Sequence, residues 1–281
     1  MGRVRIVTDS TADIPQELVD ELGIIVVPLK VSFGSDIYRD GVDIKPREFI
    51  ALMEKEKVMP TTSQPSPGEF VAVYENLAAK GDTVVSIHLS GKLSGTVQSA
   101  QTAKAMTGAR DVYIIDSKTA SMGLGLIVLA AAKAAKEGQP IREVMSVIKY
   151  KMARTFVIFL VDTLEYLEKG GRIGKASAFL GTMLKIKPIL TIDAGQVIPL
   201  EKVRGKAAAI ERIAQIVTDR TDISKHYVCS FVYGNDYEAM TSLKEKVLPV
   251  FNCGNLIVTE IGPVIMSHTG PGLVGVVLCR A

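Results

Sequence analysis

The chain is poor in the groups that usually announce chemistry. Its three cysteines, Cys229, Cys253 and Cys279, stand far apart and form no Cys-x-x-Cys pair. An odd, scattered set gives neither a disulfide framework nor a zinc site, and it fits a reducing cytoplasm. The three histidines, His88, His226 and His268, include no pair at metal-ligand spacing, which argues against a metal centre. There is no long basic run and no aromatic-basic stripe, and the formal net charge is +3, so nothing calls for nucleic acid. Long apolar runs are missing too. The longest, Thr119 to Ala132, has about 14 residues with two glycines, short of the ~20 that cross a bilayer. It reads as a buried core helix, not an integral membrane span. No signal peptide precedes the first strand-like run, Val4–Val7. A nucleotide-binding fingerprint, a nucleophile with a matching base and a pair of acids at a telling spacing are all absent.

What is present is apolar substance and alternation. At 281 residues with 47% apolar side chains, the chain can bury one large core or two ordinary ones. The first half alternates short, wholly apolar strands (Val4–Thr8, Ile24–Leu29, Thr83–Leu89, Val112–Ile115) with helical segments. Those helices cover Asp13–Leu22 with Asp13 as N-cap, a stretch opened by Pro46, Gly68–Lys80, Val97–Met106 and the core helix after Ser117. Strands that are apolar throughout predict a mainly parallel sheet with helices on both faces. Pro60–Pro67 reads as a proline-stiffened loop, and Val31–Phe33 with Ile37–Arg39 as a small hairpin. The second half is strand-like at Phe156–Val161, Ile189–Ile192, Val197–Val203, Tyr227–Tyr233, Leu256–Ile261 and Leu273–Leu278. A hairpin turn lies at Asp193–Gln196, and helices are expected at Leu164–Lys169, Ala176–Lys185, Ala207–Asp219 and Tyr237–Val247. This predicts an α/β protein of two domains, residues 1–155 and 156–281, the second with a mixed or antiparallel sheet.

One loop stands out. Ser90-Gly91-Lys92-Leu93-Ser94-Gly95-Thr96 ends an apolar strand and opens a helix. Free N–H groups, hydroxyls and the helix dipole converge in such a turn and seat an anion. The spacing matches neither a nucleophile elbow nor a Walker loop. Three more hydroxyl-bearing segments, Thr8–Thr11, Thr61–Ser63 and Asp116–Ser117, fall where strand ends should gather. His268, in a Gly-rich loop at 266–272, is a candidate donor to the same anion, with an ordinary surface histidine as the equal alternative. His88 reads as a satisfied core residue and His226 as surface. Arg172 and Arg204 sit beside glycines in exposed basic turns, suited to a phosphate or a partner. Phe33, Ile37, Phe159, Leu164, Leu167, Phe179, Leu180, Met183, Leu184 and Ile265 can line a cavity or simply make core. On chemistry alone the loop favours phosphate, so a phosphosugar-binding enzyme or sensor stays open, and a serine hydrolase built on Ser94 stays a weaker option.

Taken together, the motifs resemble the DegV family. The resemblance rests on Ile6–Asp13, Pro60–Gly68, Leu89–Thr96, Asp116-Ser117, Leu164–Ile173 and Gly270–Gly272, in order along the whole chain. It implies a two-domain α/β protein that binds one long-chain fatty acid (C14–C18, palmitate for example) and is not itself an enzyme. It implies service as the binding subunit of a bacterial fatty acid kinase. The acyl carboxylate is then presented to a separate ATP-dependent kinase subunit, which makes acyl-phosphate for phospholipid synthesis. By resemblance, Thr62 and Ser94 are the carboxylate ligands, with Ser63, Gly95 and His268 near them. Arg172 and Arg204 are the partner-facing residues, and no cofactor or metal is expected. On this reading the head group is only oriented, by hydroxyls and N–H groups, in a seat without a counter-charge.

Overall fold

The computed structural model describes residues 2–56, 58–108, 110–181, 186–222, 224–250 and 252–281. Strands β1 (Val4–Asp9), β2 (Ile25–Val27), β6 (Thr83–His88) and β7 (Val112–Asp116) form a wholly parallel sheet in the order β2-β1-β6-β7. These strands are apolar throughout because both faces are covered. On one side Phe70, Tyr74 and Leu77 of helix α3 (Pro67–Ala78) pack with Ala100 and Ala103 of α4 (Thr96–Thr107). On the other side lie α1 (Gln16–Leu22), α5 (Met122–Lys136) and α6 (Ile141–Met152). The chain leaves β1 towards β2 on one side and β6 on the other. Loops at the carboxyl ends of these strands therefore open into a shared crevice.

Every strand from Thr155 onward belongs to a second sheet. It joins β8 (Thr155–Leu160), β9 (Ile186–Asp193), β10 (Gln196–Arg204), β11 (His226–Tyr233), β12 (Asn252–Glu260) and β13 (Val274–Arg280). Their order is β10-β9-β8-β13-β11-β12, and only β11 and β12 run parallel. Helices α8 (Lys206–Arg220) and α9 (Tyr237–Val247) cover one face through Ile210, Ile213, Met240 and Leu243. The other face turns inward to α5, to α2 (Pro46–Glu56) and to a small antiparallel sheet. That small sheet has the order β4-β3-β5, from β3 (Lys30–Phe33), β4 (Asp36–Arg39) and β5 (Thr61–Ser63).

Helix α5 is the apolar run noted in the sequence, and it is apolar all round because it lies between the two large sheets. Leu124, Ile127, Val128 and Ala131 face the parallel sheet, while Met122 and Leu126 join the core against the mixed one. Its two glycines allow this closeness. A side-chain carbon on Gly125 would stand 2.5 Å from the Ala12 carbonyl oxygen, and one on Gly123 would stand 2.9 Å from Val157 Cγ2.

Several local expectations are corrected. Asp13 does not cap α1, which begins at Gln16 after Pro15. Its backbone is left-handed (φ 51°), and its carboxylate turns away to accept the Gly262 N–H (2.9 Å) and the Ser121 hydroxyl. The proline-bounded loop contains a strand, β5, because Thr61–Ser63 pairs with β3. Helix α6, whose Val144 and Ile148 are buried, is not among the elements expected from the sequence. The expected loop around His268 is largely helix α10 (Pro263–Thr269), opened by a proline at its first turn. Of the expected helix at 176–185, Gly174–Phe179 is a short 3₁₀ turn, and Thr182–Lys185 lie outside the described residues. Among the described residues no helix is long and apolar enough to cross a membrane.

The Asp13 junction makes stability depend on pH. Burial raises its carboxyl from 3.8 to about 8, against the bonds from Ser121 and Gly262 and with repulsion from Asp40 and Asp9. Burial likewise lifts Asp40 to about 6. An unfolded aspartate ionises near pH 4, so the folded state holds protons that the unfolded state has lost. The stability these two carboxyls contribute is therefore full below about pH 4 and is lost as pH rises through about 6 for Asp40 and about 8 for Asp13. Asp13→Asn is neutral and keeps an acceptor for Gly262. It should melt several degrees above the unsubstituted chain at pH 9 and show no such gain at pH 4. Equal differences at the two pH values would show that Asp13 does not titrate in this way.

Candidate functional site

The crevice between the sheets holds a cavity of about 880 Å³, its mouth included. Most of its wall is aliphatic or aromatic: Leu29 and Leu89 from the first half, and Val157, Phe159, Leu167, Val232 and Val277 from the second. Polar side chains join this wall from five separate segments: Thr62 and Gln64, Ser94, Ser121, Arg172, and His268 with Thr269. The few polar groups in an otherwise apolar wall suit a small molecule that is mostly hydrocarbon. Among the described residues no group of three or more His, Cys, Asp or Glu side chains is arranged to hold a metal ion.

Strand pairing aims Thr62. In β5, Thr62 pairs with Val31 and Ser63 with Lys30, so alternate side chains point to opposite faces. Thr62 and Gln64 reach the cavity, while Ser63 is exposed and does not line it. Thr62 Oγ1 lies 2.8 Å from His268 Nε2. Burial first, and then the Arg172 charge, lower the His268 imidazole from 6.5 to about 4, so it is neutral near pH 7. Its Nδ1 is buried and has no hydrogen-bond partner among the described residues. A bare acceptor there is cheaper than a stranded N–H, which places the proton on Nε2. Thr62 Oγ1 then accepts from His268, and the Thr62 O–H is left to donate into the cavity.

Ser94 stands one residue before Gly95, the N-cap of α4, which has no side-chain cap of its own. Ser94 Oγ lies 2.9 Å from the buried Thr96 Oγ1 and 3.4 Å from the Thr96 nitrogen. If it accepts the Thr96 hydroxyl proton, its own proton is free for a ligand at the positive end of the helix. Gly95 does not itself line the cavity; it lies beside the Gln64 amide. Arg172 is half-buried in the cavity wall, where its Nε donates to the Leu93 carbonyl (3.0 Å) and its Nη1 to the Gly170 carbonyl (2.7 Å). This corrects two expectations: the turn does not leave Arg172 fully exposed, and the seat does include a positive charge. Arg204 is exposed at the end of β10, away from the cavity lining.

Most other hydroxyls in the four polar segments bond to the protein. Ser90 Oγ donates to the Gly195 carbonyl, Thr8 to the Ile87 carbonyl and Thr11 to Asp9, while Ser10 Oγ accepts the Leu29 N–H. The apolar candidates divide as well. Phe159, Leu167 and Ile265 line the cavity, while Phe33, Leu164 and Phe179 belong to the core around it. Ile37 and Leu180 are exposed, and Met183 and Leu184 lie outside the described residues. Gln64, Ser121 and Thr269 are polar lining residues not expected from the sequence; for Gln64 the available signal is its position two after Thr62.

His88 is a core residue, as expected, and His226 is exposed. Tyr74 donates to Ser86 Oγ (2.8 Å), Ser86 lies 2.7 Å from His88 Nε2, and His88 Nδ1 lies 2.9 Å from Asp9 Oδ2. This serine–histidine–aspartate array is fully buried and stopped at its serine end by Tyr74. It is not a hydrolase centre, and Ser94 is bonded to Thr96 and not to a histidine.

The family model described as uncharacterised protein, DegV family, matches residues 3–281. A DegV family protein from Thermus thermophilus, whose structure is described as showing fatty acid binding, superposes with a TM-score of 0.93. It is 41% identical, over 99% of this chain and 100% of that one. DegV from Bacillus subtilis, described as a fatty acid binding protein, gives 0.91 at 33% identity, covering 100% of each chain. A stearic acid-binding protein from Eubacterium ventriosum gives 0.90 at 28% identity, over 100% of this chain and 98% of the other. With a family match from residue 3 to the last residue and the same fold at 41% identity, this chain belongs to the DegV family.

Proposed function

We propose that this chain binds one long-chain fatty acid, C14–C18, and presents its carboxylate to a separate ATP-dependent kinase subunit. One observation carries the reading: a largely apolar cavity meets the Thr62–His268 pair, with Ser94 and Arg172 also in its wall. The relatives described as fatty acid binding support it. At ~0.8 kcal/mol per buried CH₂, about 14 methylenes of a C16 tail contribute roughly 11 kcal/mol before the cost of ordering. The tail therefore supplies affinity, and the polar cluster fixes the position of the head. A phosphosugar would leave its hydroxyls facing Val157, Phe159 and Val277 without partners, which disfavours that alternative.

In this reading residues 1–155 and 156–281 act as two domains that share the ligand, in the cytoplasm. The protein performs no chemistry alone and needs no cofactor; ATP belongs to the kinase, and the acyl-phosphate serves phospholipid synthesis. Arg204, exposed, is a contact for that kinase. Arg172 joins the seat to the surface and serves both ligand and partner.

Four outcomes are expected. Organic extraction of the purified protein followed by mass spectrometry should release a C14–C18 acid; a phosphosugar in its place would sink the reading. Thr62→Ala and Ser94→Ala should each weaken palmitate binding about tenfold or more, as expected for bonds to a charged group. Unchanged affinity in the double variant would remove both from the seat. Arg172→Ala should weaken palmitate binding as well as acyl-phosphate formation, whereas Arg204→Ala should affect only the latter. Finally, the His268 ring should keep its neutral NMR shifts down to about pH 5, where a titration near pH 6.5 would contradict its burial.

A further inference from the structure

We propose that Gln64 is a head-group ligand, donating from its side-chain amide to the bound carboxylate, and that Gly95 lacks a side chain in order to admit that amide. The inference rests on the fatty acid reading above and adds to it a residue and a coupling.

The backbone supplies the direction. Thr62 and Gln64 are two apart on an extended segment, with Ser63 exposed between them and Pro65 buried after them, so both reach one cavity from one side. Packing supplies the position. A side-chain carbon on Gly95 would lie 2.9 Å from Gln64 Nε2 and 3.2 Å from its Cδ, so the amide rests where any larger residue would project. Gly95 has a negative φ (φ −74°, ψ 8°), so no left-handed turn demands glycine there. The near neighbour is the Gln64 amide, the movable end of a flexible side chain, which a larger residue at 95 would displace. The amide is thus parked at the open N-terminus of α4, beside Ser94.

Chemistry supplies the purpose. The Gln64 amide makes no hydrogen bond within the described residues, although its two N–H groups are strong donors. A flexible exposed side chain held by a glycine gap, next to Ser94 and opposite no carboxylate partner, is poised for an incoming acceptor. A carboxylate has more lone pairs than Thr62 and Ser94 can fill. A neutral amide completes that set without adding the second charge that a lysine would bring.

A double-mutant cycle on the full chain, stripped of lipid and titrated with palmitate, tests the coupling. Gln64→Leu should weaken binding about tenfold while leaving the melting temperature unchanged. Gly95→Ala, which pushes the amide aside, should weaken it by a similar factor. Gly95→Ala in the Gln64→Leu background should cost almost nothing further. Gln64→Glu should lose more than Gln64→Leu through repulsion, and the difference should vanish with methyl palmitate, which carries no charge. Unchanged palmitate affinity in Gln64→Leu, or a Gly95→Ala loss as large in the Gln64→Leu background as alone, overturns the assignment and leaves the lipid reading standing. Failure of the unsubstituted chain to bind palmitate overturns both.

Discussion

The structure depends on one constraint: a helix buried on all sides between two sheets. Because α5 is apolar all round, neither sheet can be separated from it without exposing Met122, Leu126 or the Leu124–Ile127–Val128 face to water. The parallel sheet delivers its strand ends to the first residues of α5. The mixed sheet delivers Val157, Phe159 and Val277 to the same place. The cavity is the space left where these surfaces meet, and Ala120 and Ser121, just before α5, form part of its wall. Ser121 is itself tied to Asp13, and Asp13 to Gly262 at the start of α10. The cavity wall at Ser121 and the His268-bearing helix are therefore tied to one another through a buried carboxyl.

The polar cluster in the cavity wall shows how ordinary parts produce a specific geometry. No residue in it is unusual in kind: two hydroxyls, an amide, an arginine and a neutral histidine. Their roles come from what surrounds them. Burial keeps His268 neutral, so it donates to Thr62 and frees the threonine proton. Arg172 is held by two backbone carbonyls, which sets its charge at the wall before any ligand arrives. Such preorganisation lowers the cost of ordering on binding.

Much of this was legible in the sequence, for stated physical reasons. The wholly apolar strands foretold a parallel sheet covered on both faces, and the uncharged run from Thr119 foretold a helix with no solvent side. The turn at Asp193–Gln196 foretold the β9–β10 hairpin. Thr62, Ser94 and His268 emerged from family resemblance, and they do share one cavity. What stayed hidden was tertiary. Nothing local to Ser63 says that pairing with Lys30 turns it outward while Gln64 turns in. Nothing near Asp13 says that its partners lie 108 and 249 residues away. The α6 pattern, with Val144 and Ile148 on one face, was readable but lay beside a stronger apolar run.

The Thr62–His268 bond, 206 residues apart in sequence, has a consequence for the order of synthesis. A chain emerging from the ribosome can complete the parallel sheet and α5 long before α10 and β13 exist. It then has half a cavity wall and no imidazole to orient the threonine. The complete cavity wall, with the imidazole in place, exists only once α10 and β13 have been made.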